Sequence, residues 1–336
     1  MNKKYDFIKN ILGTLIGNRG SAKDKQANYA EDIINYTKSI EINPNDAETY
    51  NKRGFAYFNQ KEYPQAIADY TKAIEIKPDY ATAYFKRGLA YKKQDSLSLA
   101  ISDFNKAIEI KPNYEIAYIY RGIIYNDQGN FSLAIFDFNK AIEIKPNDAE
   151  AYNNRGGAYY SQMNYSQAIS DFSKAIEINP DNATAYYNRG LAHYDQKNYS
   201  QAVSDYTKAI KINPNYATAY NNRGLVYSNQ KSFNKAQFDY SKAIKIDPNN
   251  AKTYNNCGLT FNMQGNFKQA IHNFDKAIEI NPNYANAFNN RAFAHYKIKE
   301  YDKVWADLKK AKELGFAIDP EFVSALKRRV SGVAHE

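Results

Sequence analysis

The chain has 336 residues, of which 43% are hydrophobic, and it carries a net charge of +9. Basic and acidic residues are interleaved without long runs of one sign, so the charge does not by itself indicate a nucleic-acid-binding tail. A single cysteine, Cys257, excludes an internal disulfide framework and fits a reducing compartment. No stretch approaches the ~20 consecutive apolar residues that span a membrane. These features predict a cytoplasmic protein without a transmembrane segment.

The first 46 residues are predicted to form an N-terminal helix and a degenerate repeat. In residues 1–17, Phe7, Ile8, Ile11 and Leu12 recur at the spacing of an amphipathic helix. We expect this helix to cap the fold, and a membrane-surface or targeting helix is the alternative. Residues 13–46 look like a degenerate copy of the 34-residue unit that begins at residue 47.

From residue 47 to residue 318 one 34-residue unit is written eight times, beginning at Ala47, Ala81, Glu115, Ala149, Ala183, Ala217, Ala251 and Ala285. A strict period of this size is typical of a solenoid, in which each unit buries its apolar face against its neighbours. Each unit predicts two helices, for example 47–60 and 64–77, followed by a proline that ends the second. The Asp or Asn directly after that proline is predicted to cap the next helix. Residues 319–336 predict a C-terminal capping helix and a tail.

The unit resembles the tetratricopeptide repeat family. The motif is carried in the first unit by Tyr50, Gly54, Tyr57, Ala66, Tyr70, Ala73 and Pro78, and the same positions recur in the other units. The resemblance is strong over 47–318 and weak over 13–46. It implies an all-α protein, an α-solenoid of stacked helix-turn-helix repeats forming a right-handed superhelix. In the family, the first helices line a concave groove that binds peptides or protein segments.

The chain departs from the family pattern by an arginine where Leu is common, and this arginine has an aspartate sixteen residues later. The arginines are Arg53, Arg87, Arg121, Arg155, Arg189, Arg223 and Arg291, and the aspartates are Asp69, Asp103, Asp137, Asp171, Asp205, Asp239 and Asp307. In the seventh unit Cys257 and Asn273 replace both partners. Because the arginine and the aspartate are absent together in that unit, we predict that they form an ion pair within each of the other units. The alternative is that the arginines bind an anion.

A glycine recurs in the middle of the first helix, where it costs about 1 kcal/mol relative to alanine. It stands at Gly54, Gly88, Gly122, Gly156, Gly190, Gly224 and Gly258. We expect a close approach of the two helices of a unit to offset this cost.

Two adjacent positions just before the arginine are rich in asparagine. We call them the first Asn position (Asn51, Asn153, Asn221, Asn255 and Asn289) and the second Asn position (Asn154, Asn188, Asn222, Asn256 and Asn290). In the family the second of these residues points into the concave face. A side-chain amide has donors and an acceptor, so a ladder of them could hold the backbone of an extended peptide. The five residues of the second Asn position are therefore the predicted peptide-binding residues, and solvated residues favoured by genome composition are the alternative.

The first three units carry Lys52, Lys86 and Tyr120 at the second Asn position. We include these residues in the predicted binding site. The two lysines make one end of the groove more basic, so an acidic segment or a C-terminal carboxylate is expected to bind there.

These patterns predict a non-enzymatic protein–protein interaction scaffold. No catalytic residue, cofactor or metal site is predicted, because His193 and His295 stand where other units have tyrosine and no phosphate-binding loop is present. The alternative is an RNA-binding helical repeat protein that uses basic and tyrosine side chains of the groove. It is the less favoured one, because most tyrosines occupy packing positions. The groove candidates for that alternative are Tyr120, Tyr160, Tyr187, Tyr194 and Tyr296. The oligomeric state is left open.

Overall fold

The structure is a computed structural model that describes residues 22–333, with the surroundings of side chains given for 28–329. Within that range the chain forms helices and no strands. The helices are α1 (Ala22–Ile42), α2 (Ala47–Asn59), α3 (Tyr63–Ile76), α4 (Ala81–Lys93), α5 (Leu97–Ile110), α6 (Glu115–Asp127), α7 (Phe131–Ile144), α8 (Ala149–Ser161), α9 (Tyr165–Ile178), α10 (Ala183–Asp195), α11 (Tyr199–Ile212), α12 (Ala217–Asn229), α13 (Phe233–Ile246), α14 (Ala251–Met263), α15 (Phe267–Ile280), α16 (Ala285–Lys297), α17 (Tyr301–Glu313) and α18 (Pro320–Val333).

Each 34-residue unit is one pair of helices, here called helix A and helix B of repeats 1 to 8. Repeat 1 is α2 and α3, and the order continues to repeat 8, which is α16 and α17. Helices α1 to α9 pack on each other in chain order, and so do α11 to α17, as the all-α solenoid prediction requires. The described residues fall into two compact parts, one ending at Asn188 and one beginning at Arg189.

The segment before repeat 1 contains one continuous helix in its described part. Helix α1 runs without a break through residues 26–28, where the repeat pattern would place the link between helices A and B. The earlier part of the degenerate repeat, and the helix predicted in residues 1–17, lie outside the described residues.

The glycine of helix A makes room for an aromatic ring of helix B. A Cβ added at Gly258 would stand 2.6 Å from Cε1 of Phe274, and one added at Gly54 would stand 2.9 Å from Cε1 of Tyr70. The rings are fully buried, so this close approach offsets the intrinsic cost of glycine in a helix. In repeat 8, Ala292 replaces glycine and Leu308 replaces the ring.

The arginine and aspartate pair within each repeat, as predicted. In repeat 1, Arg53 Nε donates to Asp69 Oδ2 at 2.8 Å and Nη2 donates to Oδ1 at 2.7 Å. The six other repeats that carry the pair have the same two-point contact at 2.6–2.9 Å. The aspartates are buried, so both charges are satisfied where water is largely excluded.

The arginine also reaches back to the preceding helix B, a contact that the sequence analysis did not anticipate. Its Nη1 donates to a hydroxyl, amide or carboxylate oxygen sixteen residues earlier in the chain. These acceptors are Thr37, Thr71, Asn105, Asn139, Thr207 and Asp275, at 2.6–3.1 Å. One guanidinium therefore joins three helices, and it ties neighbouring repeats together.

The predicted helix caps are wrong by one position. The cap of helix A is the second residue after the proline, such as Asp148, whose Oδ1 accepts from the backbone of Glu150 and Ala151. Where this residue is tyrosine, as at Tyr80, no side-chain cap forms. Where the residue before the proline is Asn or Asp, its side chain instead accepts from the backbone of the position expected to cap, as Asn213 does from Asn215. The short side chain thus stabilises the turn rather than the helix.

The chain after repeat 8 packs back onto that repeat. Leu326 of α18 is fully buried in a cluster with Ala292, Val304 and Leu308, and Phe322 packs against the same cluster.

Candidate functional site

The predicted peptide-binding asparagines lie on helices A with most of their surface covered. Asn154, Asn188 and Asn256 are 3%, 0% and 8% exposed, and Asn222 and Asn290 are half-buried. A ligand along this face would meet side chains that are already held in place, with little surface free for new contacts.

Three of these asparagines form an amide ladder between repeats. In each case the second Asn position donates from Nδ2 to Oδ1 at the first Asn position of the preceding repeat. Asn188 donates to Asn153 at 3.1 Å, Asn256 donates to Asn221 at 3.1 Å, and Asn290 donates to Asn255 at 2.9 Å. Part of the hydrogen-bonding capacity predicted for a ligand is therefore used by the scaffold.

Asn222 takes part in a contact within its own repeat. It accepts at Oδ1 from Nδ2 of Asn221 at 3.0 Å. In repeat 1, where the second Asn position is a lysine, Asn51 donates across to the hydroxyl of Tyr80 at 3.1 Å.

Asn154 differs from the other asparagines at the second Asn position. Neither Nδ2 nor Oδ1 of its amide has a hydrogen-bond partner among the described residues, although both atoms are buried. Oδ1 of Asn188 likewise has none. A buried amide left without a partner costs about 1–3 kcal/mol, so these groups are the ones best suited to accept a ligand.

Asn154 lines a cleft of about 410 Å³ beside the N-terminal ends of α8 and α10. A volume of this size falls in the range of about 300–1,000 Å³ that is usual for ligand sites. Most of the lining residues are polar, and the lining consists of Lys145, Asn147, Asp148, Ala149, Glu150, Asn153, Asn154, Ile178, Asn179, Asn182 and Thr184.

Two of the three charged side chains in this cleft are paired with each other. Lys145 Nζ lies 2.7 Å from Asp148 Oδ2 and 3.7 Å from Glu115 Oε1. Asp148 also caps α8, so its carboxylate is fully occupied. Glu150 is half-buried and has no ion-pair partner among the described residues. Burial, reinforced by the charges of Asp148 and Glu115, raises its pKa above the ordinary value for glutamate.

Glu150 was not among the predicted site residues, although the sequence contains a signal for it. In repeat 1 the equivalent residue is Glu48, which pairs at 2.7 Å with Lys52 four residues later. In repeat 4 the residue four positions after Glu150 is Asn154, which cannot neutralise a carboxylate. A comparison of the two repeats thus identifies an acidic side chain that lost its cation.

The remaining predicted site residues have partners within the protein. Lys52 is half-exposed and paired with Glu48, and Lys86 places Nζ 4.9 Å from the centre of the Phe55 ring. Burial lowers the pKa of Lys86. Tyr120 packs edge-on against Phe85 with ring centres 5.6 Å apart, and burial followed by the charge of Glu150 raises its pKa to about 12.

The tyrosines considered for RNA stacking are also engaged in packing. Tyr160, Tyr194 and Tyr296 each lie against the tyrosine that begins the next helix, with ring centres 5.6–6.2 Å apart. Tyr187 is 2% exposed. Tyr160, Tyr194 and Tyr296 are half-buried, so of these four only Tyr187 is closed to a stacking base.

Two histidines lie close to carboxylate groups. Nδ1 of His295 contacts Glu300 at 2.6 Å, and Nε2 of His193 lies 3.9 Å from Asp205. Over the described part of the chain, no three His, Cys, Asp or Glu side chains are grouped as a metal site would require.

In the same range, no helix has the combined length and apolar character needed to cross a lipid bilayer.

Comparison with family models gives matches along most of the chain. Models described as tetratricopeptide repeat match residues 35–68, 81–114, 183–216, 217–250, 251–284 and 273–306. A further model, described as TPR repeat, matches 56–95, 122–163 and 156–197. A comparison with curated protein sequences found no match.

Solved structures of similar fold include a tetratricopeptide repeat protein from Parabacteroides merdae. It is 19% identical, the match covers 73% of this chain and 96% of that one, and the TM-score is 0.59. A chain of the APC/C hetero-tetramer Cut9–Hcn1 is 17% identical, with 79% of this chain and 52% of that one covered and a TM-score of 0.60. YrrB, described as a TPR protein with an unusual peptide-binding site, is 26% identical over 55% of this chain and 95% of YrrB, with a TM-score of 0.46.

Proposed function

Because the chain belongs to the tetratricopeptide repeat family, we propose that it is a non-enzymatic scaffold that binds an extended peptide or protein segment along its helices A. The family and its fold are those of protein-interaction scaffolds, which generally have no catalytic activity. The further step concerns which residues hold the segment.

The observation that carries this proposal is the amide of Asn154, which is buried on helix A and has no hydrogen-bond partner in the described part of the chain. Its Nδ2 can donate to a peptide carbonyl and its Oδ1 can accept from a peptide N–H. Asn188, Asn222, Asn256 and Asn290 occupy the same position in the later repeats. Since one such hydrogen bond contributes only about 1 kcal/mol net, binding needs several of them together.

The same proposal covers the two lysines near the start of the array. Lys52 and Lys86 could receive an acidic stretch of the segment, provided that Glu48 releases Lys52. A cytoplasmic location is part of the proposal and is supported by Cys257, which is a buried free thiol.

The test uses an array of short synthetic peptides of random sequence, probed with the full chain. Asn154, Asn188, Asn222 and Asn256 are changed together to alanine, and circular dichroism checks that the helices survive. The matched control changes Asn45, Asn113, Asn215 and Asn283 to alanine, which are exposed residues of the loops between repeats. We expect the first variant to lose binding to peptides and the control to keep it.

Equal binding by both variants would remove the asparagines from the proposal. The RNA-binding alternative is tested with single-stranded RNA on the same protein. Salt-sensitive binding of the RNA, with no peptide bound, would replace the scaffold function by that alternative.

A further inference from the structure

We propose that the cleft beside α8 and α10 binds an ammonium or guanidinium group of the extended segment, with Glu150 as the anion that receives it. This inference rests on the proposed function, and it adds that the bound segment carries a positive charge at one position. It concerns a chain whose net charge is +9, so the preference is local and opposite in sign to what the composition indicates.

The first argument is the unpaired charge of Glu150. Lys145 is the cation of the cleft, and its ammonium is already shared between Asp148 and Glu115. Glu150 therefore has a carboxylate in a partly buried position, and no cation of the described residues forms an ion pair with it. Lys145 acts on it only as a nearby charge. A carboxylate in such a place gains from a charge-assisted hydrogen bond more than an exposed one does, because solvent screens it less.

The second argument is the matched position in repeat 1. Glu48 has the same place on its helix and takes the ammonium of Lys52, one helical turn later. Asn154 stands in the place of that lysine in repeat 4, which leaves the carboxylate of Glu150 open to a cation from another chain. The pair in repeat 1 therefore supports an ammonium as the group that Glu150 receives.

The third argument is the buried amide of Asn154, which lines the same cleft. Its Oδ1 is an acceptor that no donor of the described residues contacts. An ammonium has three donors and a guanidinium has five, so either can serve Glu150 and Asn154 at once. A neutral apolar group would leave both of them unsatisfied.

The experiment compares matched peptides on the array described above. Each peptide is also made with its Lys and Arg replaced by Gln, and each is made with a free and with an acetylated amino terminus. For the wild type we expect the cationic member of a pair to bind about tenfold more tightly, the effect of one charge-assisted hydrogen bond. The arm that loses binding, Gln replacement or acetylation, tells whether a side chain or the α-amine supplies the cation.

Three variants test the assignment. Glu150→Gln should abolish the preference for the cation while keeping the other contacts. Asn154→Lys should abolish it too, because the new lysine can pair with Glu150 as Lys52 does with Glu48. Glu109→Gln, at an exposed glutamate of α5 that pairs with Lys106, is the control and should leave the preference unchanged.

A second measurement tests the cleft without a peptide. Nα-acetyl-lysine N-methylamide should shift the NMR signal of the Asn154 side-chain amide, and its uncharged norleucine analogue should not. If peptides bind without any cationic preference and the lysine probe causes no shift, the inference fails while the scaffold function stands. If no peptide binds but the probe shifts Asn154 in the wild type and not in Glu150→Gln, the scaffold function fails while the inference stands.

Discussion

Arg291 donates from Nη1 to Oδ1 of Asp275 at 2.6 Å, and so joins the carboxylate of one repeat to the guanidinium of the next. The same guanidinium makes its two-point contact with Asp307 inside repeat 8. The side chain of Asp275 is 52% exposed and that of Asp307 is 6% exposed. The two carboxylates therefore bind one cation in very different surroundings.

We expect Asp307→Asn to destabilise repeat 8 by about 3 kcal/mol, because it leaves a largely buried guanidinium without its main partner. Asp275→Asn should cost less than about 1 kcal/mol, since an exposed partner is screened by water. Hydrogen exchange of the backbone amides of α16 and α17 measures both effects. Equal losses in the two variants would contradict the assigned burial.

Repeat 7 offers a gain-of-contact experiment. Cys257 and Asn273 occupy the arginine and aspartate positions, and Asn273 turns outward to donate to the backbone of Gln269 at 2.8 Å. Cys257→Arg alone and Asn273→Asp alone should each destabilise the protein, because each introduces a charge without its partner. The double variant should be more stable than the sum of the two changes by at least about 1 kcal/mol. Urea unfolding of the four proteins gives this coupling energy, and additive changes would show that no pair forms.

The glycine of helix A can be tested against its aromatic partner. Gly258→Ala should destabilise the protein by about 1–3 kcal/mol, because the new Cβ would overlap Phe274. Adding Phe274→Leu should recover part of the loss, since repeat 8 combines Ala292 with Leu308 at these positions. Thermal unfolding of the single and double variants measures this. A double variant less stable than Gly258→Ala would refute the explanation.

The amide ladder predicts unequal effects at equivalent asparagines. Asn256→Ala removes the donor to Asn221, whose buried Oδ1 then loses that bond, and should cost about 1–3 kcal/mol. Asn154→Ala removes an amide that has no partner among the described residues, so stability should stay the same or rise. Urea unfolding midpoints of the two variants provide the comparison. A larger loss at Asn154 would mean that its amide has a structural role.

Glu150 should make stability depend on pH. Its pKa is raised in the folded protein by burial and by the charges of Asp148 and Glu115, against the opposite effect of Lys145. The folded state therefore holds the proton more tightly than the unfolded state, and stability falls as pH rises from the ordinary glutamate pKa through the raised one.

Glu150→Gln should consequently be more stable than the wild type at neutral pH, and the difference should vanish below the ordinary glutamate pKa. Glu48→Gln, which breaks the pair with Lys52, should show a small loss at neutral pH instead. Thermal unfolding across the acid range measures both. A loss of stability in Glu150→Gln at neutral pH would show that the carboxylate stabilises the fold.

The spacing of residues predicted the scaffold better than the site. The 34-residue period gave the helix pairs, and the joint absence of arginine and aspartate in repeat 7 gave the ion pairs, because both are relations within one repeat. The Nη1 contact to Thr71 or Asp275 was missed because these acceptors differ in chemistry from repeat to repeat. The amide ladder was missed for a similar reason, since an Asn that points to a ligand and an Asn that bonds to the next repeat share one pattern.

The turn residues show the same limit at short range. An Asp or Asn after proline is compatible with a helix cap or with a turn, and backbone geometry one residue further along decides between them. In the cleft, burial raises the pKa of Glu150. Neither Glu48 nor Glu150 was singled out from the sequence, because the loss of the lysine four residues later matters only where the carboxylate is buried.

The junctions between repeats 6 and 7 and between repeats 7 and 8 differ in the kind of bond that closes them. The first has the neutral contacts of Asn256 with Asn221, Ser228 with Thr260 and Gln237 with Gln264. The second includes the charged contact of Arg291 with Asp275 at a half-exposed site. High salt screens the second contact and leaves the neutral bonds nearly unchanged. Ionic strength therefore partly determines which of these two junctions opens first. High salt favours opening between repeats 7 and 8.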